Sequence, residues 1–168
     1  MADNGDARDI LWEAIQRKEA YPIFRLTYLS RPTKPFTDAD FDDIESKSVE
    51  ANNARDVTGL LIANNERILQ IIEGREEAVR ALYAKIESDP RHSITKLVSE
   101  VEDEERYLLT WNMVVRKMTG TPPDVLSKYA KVYDEFLNAS SQNEITLDHI
   151  DLFKSISLFE ALPHQIGS

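Results

Sequence analysis

Two apolar runs in the middle of the chain constrain its fold more than any other feature. Residues 57–63 read Val-Thr-Gly-Leu-Leu-Ile-Ala and residues 68–73 read Ile-Leu-Gln-Ile-Ile-Glu. Each has the length of a strand, and Asn64-Asn65 between them is a hairpin turn type, so the two runs pair antiparallel. Gly74 breaks the second run. Another strand, Ile23 to Ser30, opens after Pro22, with Phe24, Leu26, Tyr28 and Ser30 on one face and Arg25 and Thr27 on the other. Thr37 is an N-cap with Asp38 and Asp40 in the first turn, as a helix start prefers. That helix runs to about Ala51, with a stripe of Phe41, Ile44, Ser48 and Asn52. A second helix spans about Glu76 to Ser88, buried through Val79, Leu82, Tyr83 and Ile86, and Asp89-Pro90 ends it. Strands from Thr95 to Val101 and from Trp111 to Arg116 complete the order β-α-β-β-α-β-β. This is an α+β chain of ferredoxin-like order, with one extra strand and two helices on one face of the sheet.

Both flanks are helical. A short amphipathic helix, about Ala7 to Lys18, carries Ile10, Leu11, Ala14 and Ile15 on one side. Gly120-Thr-Pro-Pro123 is a break, after which helical segments fall at about Pro123–Leu137 and Leu147–Leu162, separated by Ser140–Asn143. The chain divides into an N-terminal extension (1–20), a central domain (21–118) and a C-terminal helical pair (119–168). The tail carries Ile145, Leu147, Ile150, Leu152, Phe153, Ile156, Leu158, Phe159 and Leu162, more than a short helix buries against a sheet, which predicts a homo-oligomer.

Composition excludes several classes of function. The net charge of −10, without a basic cluster, repels phosphate backbones and argues against nucleic acid. There is no cysteine, hence no thiolate metal site or cysteine nucleophile. No apolar run approaches the ~20 residues that cross a bilayer, and Met1 to Asp9 is polar and acidic, unlike a secretory signal. The expectation is a cytoplasmic protein away from the membrane. His92, His149 and His164 lack metal-ligand spacing, so no metal is expected. Gly-x-Ser-x-Gly and Gly-x-Gly-x-x-Gly are both missing from a chain with five glycines, which argues against an enzyme.

Neutral polar residues fall where periodicity calls for apolar ones. Tyr28 lies on the apolar face of the first strand, Asn52 on the buried stripe of the first helix one turn after Ser48, and Gln70 amid Ile68, Leu69, Ile71 and Ile72. A buried amide without a partner costs about 1–3 kcal/mol, so such groups bond to each other, to backbone, to water or to a ligand. Mutual satisfaction inside a core is the simpler account. Together, however, the three suit a neutral, flat, hydrogen-bonding ligand held between the first helix and the sheet.

These residues also carry a resemblance. Arg25-Leu-Thr-Tyr28-Leu-Ser30, Asn52-Asn-Ala-Arg-Asp-Val57-Thr-Gly59-Leu-Leu61, Ile68-Leu-Gln70-Ile-Ile-Glu73-Gly74, Asp89-Pro-Arg91-His92 and Trp111-Asn-Met113 follow one another at the intervals of the BLUF family of blue-light sensors, over about Pro22 to Lys117. The resemblance implies a non-covalent flavin, FAD by family habit, with FMN left open. By position it implies that Tyr28 gives an electron and a proton to the excited flavin and that Gln70 lies between that tyrosine and the ring. It implies that Asn52 and Ser48 hold the carbonyl edge and its network, and that Asp89, Arg91 and His92 lie near the ribityl–phosphate part. Trp111 and Met113 match the pair that relays the signal. The tail resembles that of short, stand-alone members, which act on a separate protein effector, through the C-terminal helices here. The alternatives are a flavin-free ferredoxin-like adaptor and a small flavin enzyme.

Overall fold

In a computed structural model, residue 8, residues 21–109 and residues 113–156 are described. The N-terminal helix expected at about 7–18 lies, apart from Arg8, outside these residues, as does Trp111. The elements are β1 (Ile23–Pro32), α1 (Asp38–Ala54), β2 (Thr58–Ala63), β3 (Ile68–Gly74), α2 (Glu76–Glu87), β4 (His92–Asp103), β5 (Val114–Lys117), α3 (Pro123–Asn138) and α4 (Leu147–Lys154). They form a five-stranded sheet in the order β4-β1-β3-β2-β5. All neighbours are antiparallel except β2 and β5, which run parallel. The ferredoxin-like α+β order expected from the sequence is the one observed, with β5 added at the edge.

The local chemistry explains the boundaries. The Thr37 hydroxyl accepts the Asp40 N–H at 3.2 Å while the Asp40 carboxylate accepts the Thr37 N–H at 2.8 Å, a capping box that starts α1. Asp56, at φ 55°, turns the chain from α1 into β2, and the Val57 N–H reaches back to the Asn52 carbonyl at 2.9 Å. The β2–β3 turn is longer than a two-residue hairpin. The Asn64 side-chain oxygen accepts the N–H groups of Glu66 and Arg67 at 2.8 and 2.7 Å, closing a turn over residues 64–67. Strand β4 begins at His92, earlier than expected, because β1 runs on to Pro32 and pairs with it there. Strand β5 begins at Val114 rather than Trp111, so Met113 precedes the strand. Its partner is β2, a long-range parallel pairing that local sequence does not announce.

Every residue of β2 and β3 is buried, since both sheet faces are covered. The front core joins Phe24, Leu26, Tyr28, Leu61 and Ile72 to Phe41 of α1 and Val79 of α2. The back core joins Leu29, Leu60, Ile62, Leu69 and Ile71 to Tyr129, Tyr133 and Phe136 of α3 and to Ile150 and Phe153 of α4. Lys96 fixes the back layer by donating to the Phe136 and Ala139 carbonyls at the end of α3, where the helix dipole favours a cation. Helix α4 has its own capping box, Thr146 with His149.

The back face holds one buried charged cluster. Glu73 accepts the Arg25 Nε–H at 3.2 Å and the Tyr107 N–H at 3.0 and 2.8 Å. Arg25 also donates to Asp103 and to the Glu105 carbonyl, and its guanidinium lies 3.5 Å from the Tyr107 ring centre. Burial pushes the Glu73 carboxyl above the usual range, and Arg25 with the Tyr107 N–H opposes that rise. The cluster ties the segment after β4 to the end of β3.

Among the described residues, most of the tail's apolar side chains are absorbed by this chain. Ile145, Ile150, Phe153 and Ile156 are buried on its own sheet, whereas Leu147 is 61% exposed. Leu158, Phe159 and Leu162, which also carried the expectation of a homo-oligomer, lie outside the described residues. Docking of α3 and α4 makes a testable claim. Phe153→Ala is expected to cost about 3–5 kcal/mol, as for other fully buried phenylalanines, measured by urea unfolding. A cost under about 1 kcal/mol would mean that α4 does not pack there.

Candidate functional site

Strand register places the polar residues side by side. Tyr28 on β1 stands opposite Gln70 on β3, which stands opposite Leu61 on β2, with Leu97 and Val115 completing the row on β4 and β5. A shift of register in the β1–β4 ladder falls between Thr27 and Tyr28, next to the row. The Tyr28 hydroxyl donates to Gln70 Oε1, and Gln70 Nε2 donates to the Met113 sulfur at 3.7 Å. Tyr28, Gln70 and Met113 are 1%, 4% and 4% exposed. One amide therefore bridges a phenol on β1 to a thioether beside β5, with a donor on one arm and an acceptor on the other.

A cavity opens between this row, α1 and α2, with about 620 Å³ of empty space including its mouth. Phe36, Ile44, Leu61, Leu82 and Ile86 supply apolar walls, and Asn52, Gln70 and Tyr28 supply polar groups at the inner end. Asn52 reaches it from the last turn of α1, fully buried, and Ser48 from one turn earlier, half-buried. Apolar walls with neutral donors and acceptors at the inner end are the donor set a flavin ring requires.

Asp89, Arg91 and His92 line the outer part of the cavity. Arg91 bonds to the Asp89 carboxylate through Nε and at 2.7 Å through a terminal nitrogen, and to Asp43 of α1 at 3.1 Å. Arg91 thus straps the α2–β4 loop to α1 and holds the Asp89 carboxyl below its usual range. His92 Nε2 lies 2.6 Å from the Ile86 carbonyl, which can only accept, so that nitrogen carries a proton. In the neutral ring Nδ1 accepts from the Ser30 hydroxyl at 2.9 Å. The His92 and Tyr83 rings lie 6.3 and 5.4 Å from the Tyr28 ring.

The structure brings together Tyr28, Ser48, Asn52, Gln70, Asp89, Arg91, His92 and Met113 around one cavity. Sequence reasoning missed Phe36 and Lys47 in its wall. Phe36 sits in a loop without periodicity, and nothing local marked it. Lys47 adjoins Ser48 on α1 but lies off the stripe of Phe41, Ile44, Ser48 and Asn52. Gly59, beside Met113, also went unassigned.

The cavity's inner end carries no ionised group. Burial pushes the Tyr28 phenol far above its ordinary range, and the nearby Tyr83 and Asp89 add to the rise; the Tyr83 phenol is itself pushed up to about 12.

Comparison with known proteins gives a consistent picture. The family profile described as sensors of blue-light using FAD, BLUF, matches residues 23–114. The photoactivated adenylate cyclase subunit beta of Euglena gracilis is 35% identical over 114 residues, which is 64% of this chain and 13% of that protein. The blue light- and temperature-regulated antirepressor BluF of Escherichia coli is 34% identical over 67 residues, 39% of this chain and 17% of that one. The chain thus spans only a small part of these curated relatives. Among solved structures, the dark state of BlrB, a BLUF protein, superposes with a TM-score of 0.57 at 25% identity, covering 80% of this chain and 94% of that one. The photo-activated state of BlsA gives a TM-score of 0.61 at 22% identity, covering 78% and 91%.

A raised phenol pKa has a definite sign. Below the unfolded pKa of ~10 the stability that buried Tyr28 contributes is fully present, and it is lost as pH rises above that value, because only the unfolded chain ionises. At pH 10 the folded wild type and Tyr28→Phe are expected to show the same tyrosinate absorbance. One tyrosinate more in the wild type would mean that Tyr28 is not shielded.

Proposed function

The chain belongs to the BLUF family of blue-light sensors, and from that premise we propose that it holds a flavin, FAD before FMN, in the cavity between α1, α2 and the sheet, and that light switches the Tyr28–Gln70–Met113 hydrogen bonds. The matched domain is a photosensor and not an enzyme. The observation that carries the reading is the unbroken bonding of Tyr28 to Gln70 and of Gln70 to Met113 along the cavity's inner end. Bound there, a flavin would supply the absorption of blue light and the acceptor for the electron and proton that leave Tyr28.

The side chains have complementary parts. Tyr28 is neutral at working pH and already directs its proton at Gln70 Oε1. Gln70 is both donor and acceptor, so it can turn over and present the opposite pair of groups without moving a charge. Charge there would act strongly in so dry a pocket. Asn52 and Ser48 would hold the inner polar edge of the ligand, and Asp89, Arg91 and His92 its outer part. Trp111, which lies outside the described residues, is paired with Met113 in the relay only by family position.

The route outward follows from strand alternation. Met113 packs in the front core, while the next residue, Val114, packs against the back core that includes α3 and α4. A Met113 displaced by a reversed Gln70 pulls on Val114, and the helical pair passes the change to a separate protein effector. Among the described residues no helix is long and apolar enough to cross a membrane.

Absorption spectra in the dark and just after blue light test the reading. The flavin bands are expected to shift slightly red and to recover in the dark. Bleached bands would indicate flavin reduction or an adduct, and no flavin even after FAD is added would favour the adaptor. Tyr28→Phe and Gln70→Leu are each expected to keep the flavin and lose the shift. A normal shift in either would remove that residue from the switch.

A further inference from the structure

We propose that Gly59 is a positioning residue that seats the Met113 side chain beside Gln70 and so biases the Gln70 amide toward one orientation; this rests on the switch reading above. Gly59 lies within β2, between the buried residues Thr58 and Leu60. A glycine inside a strand weakens it, and commonly marks a close approach by another group. Its backbone does not explain it, because the positive-φ glycine among the described residues is Gly120.

The space above Gly59 does explain it. A β-carbon placed on Gly59 would lie 2.8 Å from the Met113 ε-methyl and 3.3 Å from its sulfur. The first distance is shorter than real side-chain contacts permit. The parallel ladder pairs Leu60 with Val114, so continuing it by one residue sets Met113 beside Gly59. Ile72 is the partner of Gly59 on β3, which puts Gly59 one step along the same sheet face from Gln70. The missing side chain is the seat over which Met113 lies to bring its sulfur 3.7 Å from Gln70 Nε2.

The seat has a chemical consequence. With Nε2 toward sulfur and Oε1 toward Tyr28, both arms of the amide are matched. Reversed, Oε1 faces a sulfur that has no proton to give, so two acceptors meet. A seated Met113 therefore opposes reversal, and a displaced one does not. Gly59 would set how readily the amide returns after light.

Methionine-methyl NMR and a double-variant cycle test this. The chain has three methionines, Met1, Met113 and Met118, so the methyl signals separate readily. In the flavin-free wild type the Met113 methyl is expected to show a nuclear Overhauser effect to the Gly59 α-protons. In Gly59→Ala its resonance moves toward that of a freely rotating methionine. With FAD bound, Gly59→Ala is expected to shift the dark spectrum toward the lit one and to slow dark recovery several-fold. Both changes should vanish when Gly59→Ala is made in a Met113→Ala background. Absence of the wild-type Overhauser effect would overturn the proposal, as would an unchanged recovery rate in Gly59→Ala or an equal effect in both backgrounds. If Gly59→Ala fails to fold, Met113→Ala should restore folding; failure to do so would assign the clash to the Ile71 carbonyl, 3.3 Å from the same point, and sink the idea. A wild type that binds FAD but does not respond to light would instead remove the switch reading, leaving the flavin-free NMR result standing.

Discussion

The Tyr28–Gln70 hydrogen bond sets the terms for the rest of the molecule. It joins β1 to β3 at directly opposed positions, in the row that also contains Leu97, Leu61 and Val115. A primary amide at that depth must satisfy both of its ends or cost stability. Tyr28 meets one end and Met113 the other, and apolar neighbours exclude water from both. Mutual satisfaction of Tyr28 and Gln70 inside the core is thus what the chain itself displays. A cavity lies alongside the pair, which a core contact alone does not require.

Charge is kept at a distance from that pair, and where it occurs it has a structural task. At the outer end of the cavity, Arg91 links Asp89 to Asp43 and closes the α2–β4 loop onto α1. On the opposite sheet face, Arg25 and Glu73 form a buried pair that holds the Tyr107 N–H. Removing one member of such a pair is costly, because it leaves the other charge buried alone. Strand alternation separates the two tasks: Gln70 faces the front while Glu73, three residues on, faces the back. The segment that ends in Met113 is therefore anchored behind the sheet at residue 107 and meets the Tyr28–Gln70 pair in front of it.

A sheet covered on both sides separates the front core from α3 and α4. No side chain of β2 or β3 crosses the sheet, so the two cores are joined through the backbone of neighbouring residues. Met113 and Val114 are such neighbours, one in each core, at an edge strand whose pairing is only four residues long. Short edge pairing is the part of a sheet that yields at least cost.

Much of this was legible in the sequence. Periodicity placed α1, α2 and the β2–β3 pair within a few residues, because their apolar spacing and caps are local properties; the Thr37 capping box needs only residues 37–40. The polar residues on apolar faces, Tyr28, Asn52 and Gln70, marked the site because burying an amide needs a reason that sequence alone already demands. The sequence did not show that β5 pairs with β2, that β4 begins at His92, or that Ile145, Ile150, Phe153 and Ile156 are buried by their own chain. Those depend on contacts between residues far apart in sequence, whose energies no local pattern encodes. The sequence by itself determined which residues must be buried and which of them need a hydrogen-bonding partner. Only the tertiary structure decided which partner each one meets, because strand register sets Gln70 opposite Tyr28 and the open space above Gly59 admits Met113 beside it.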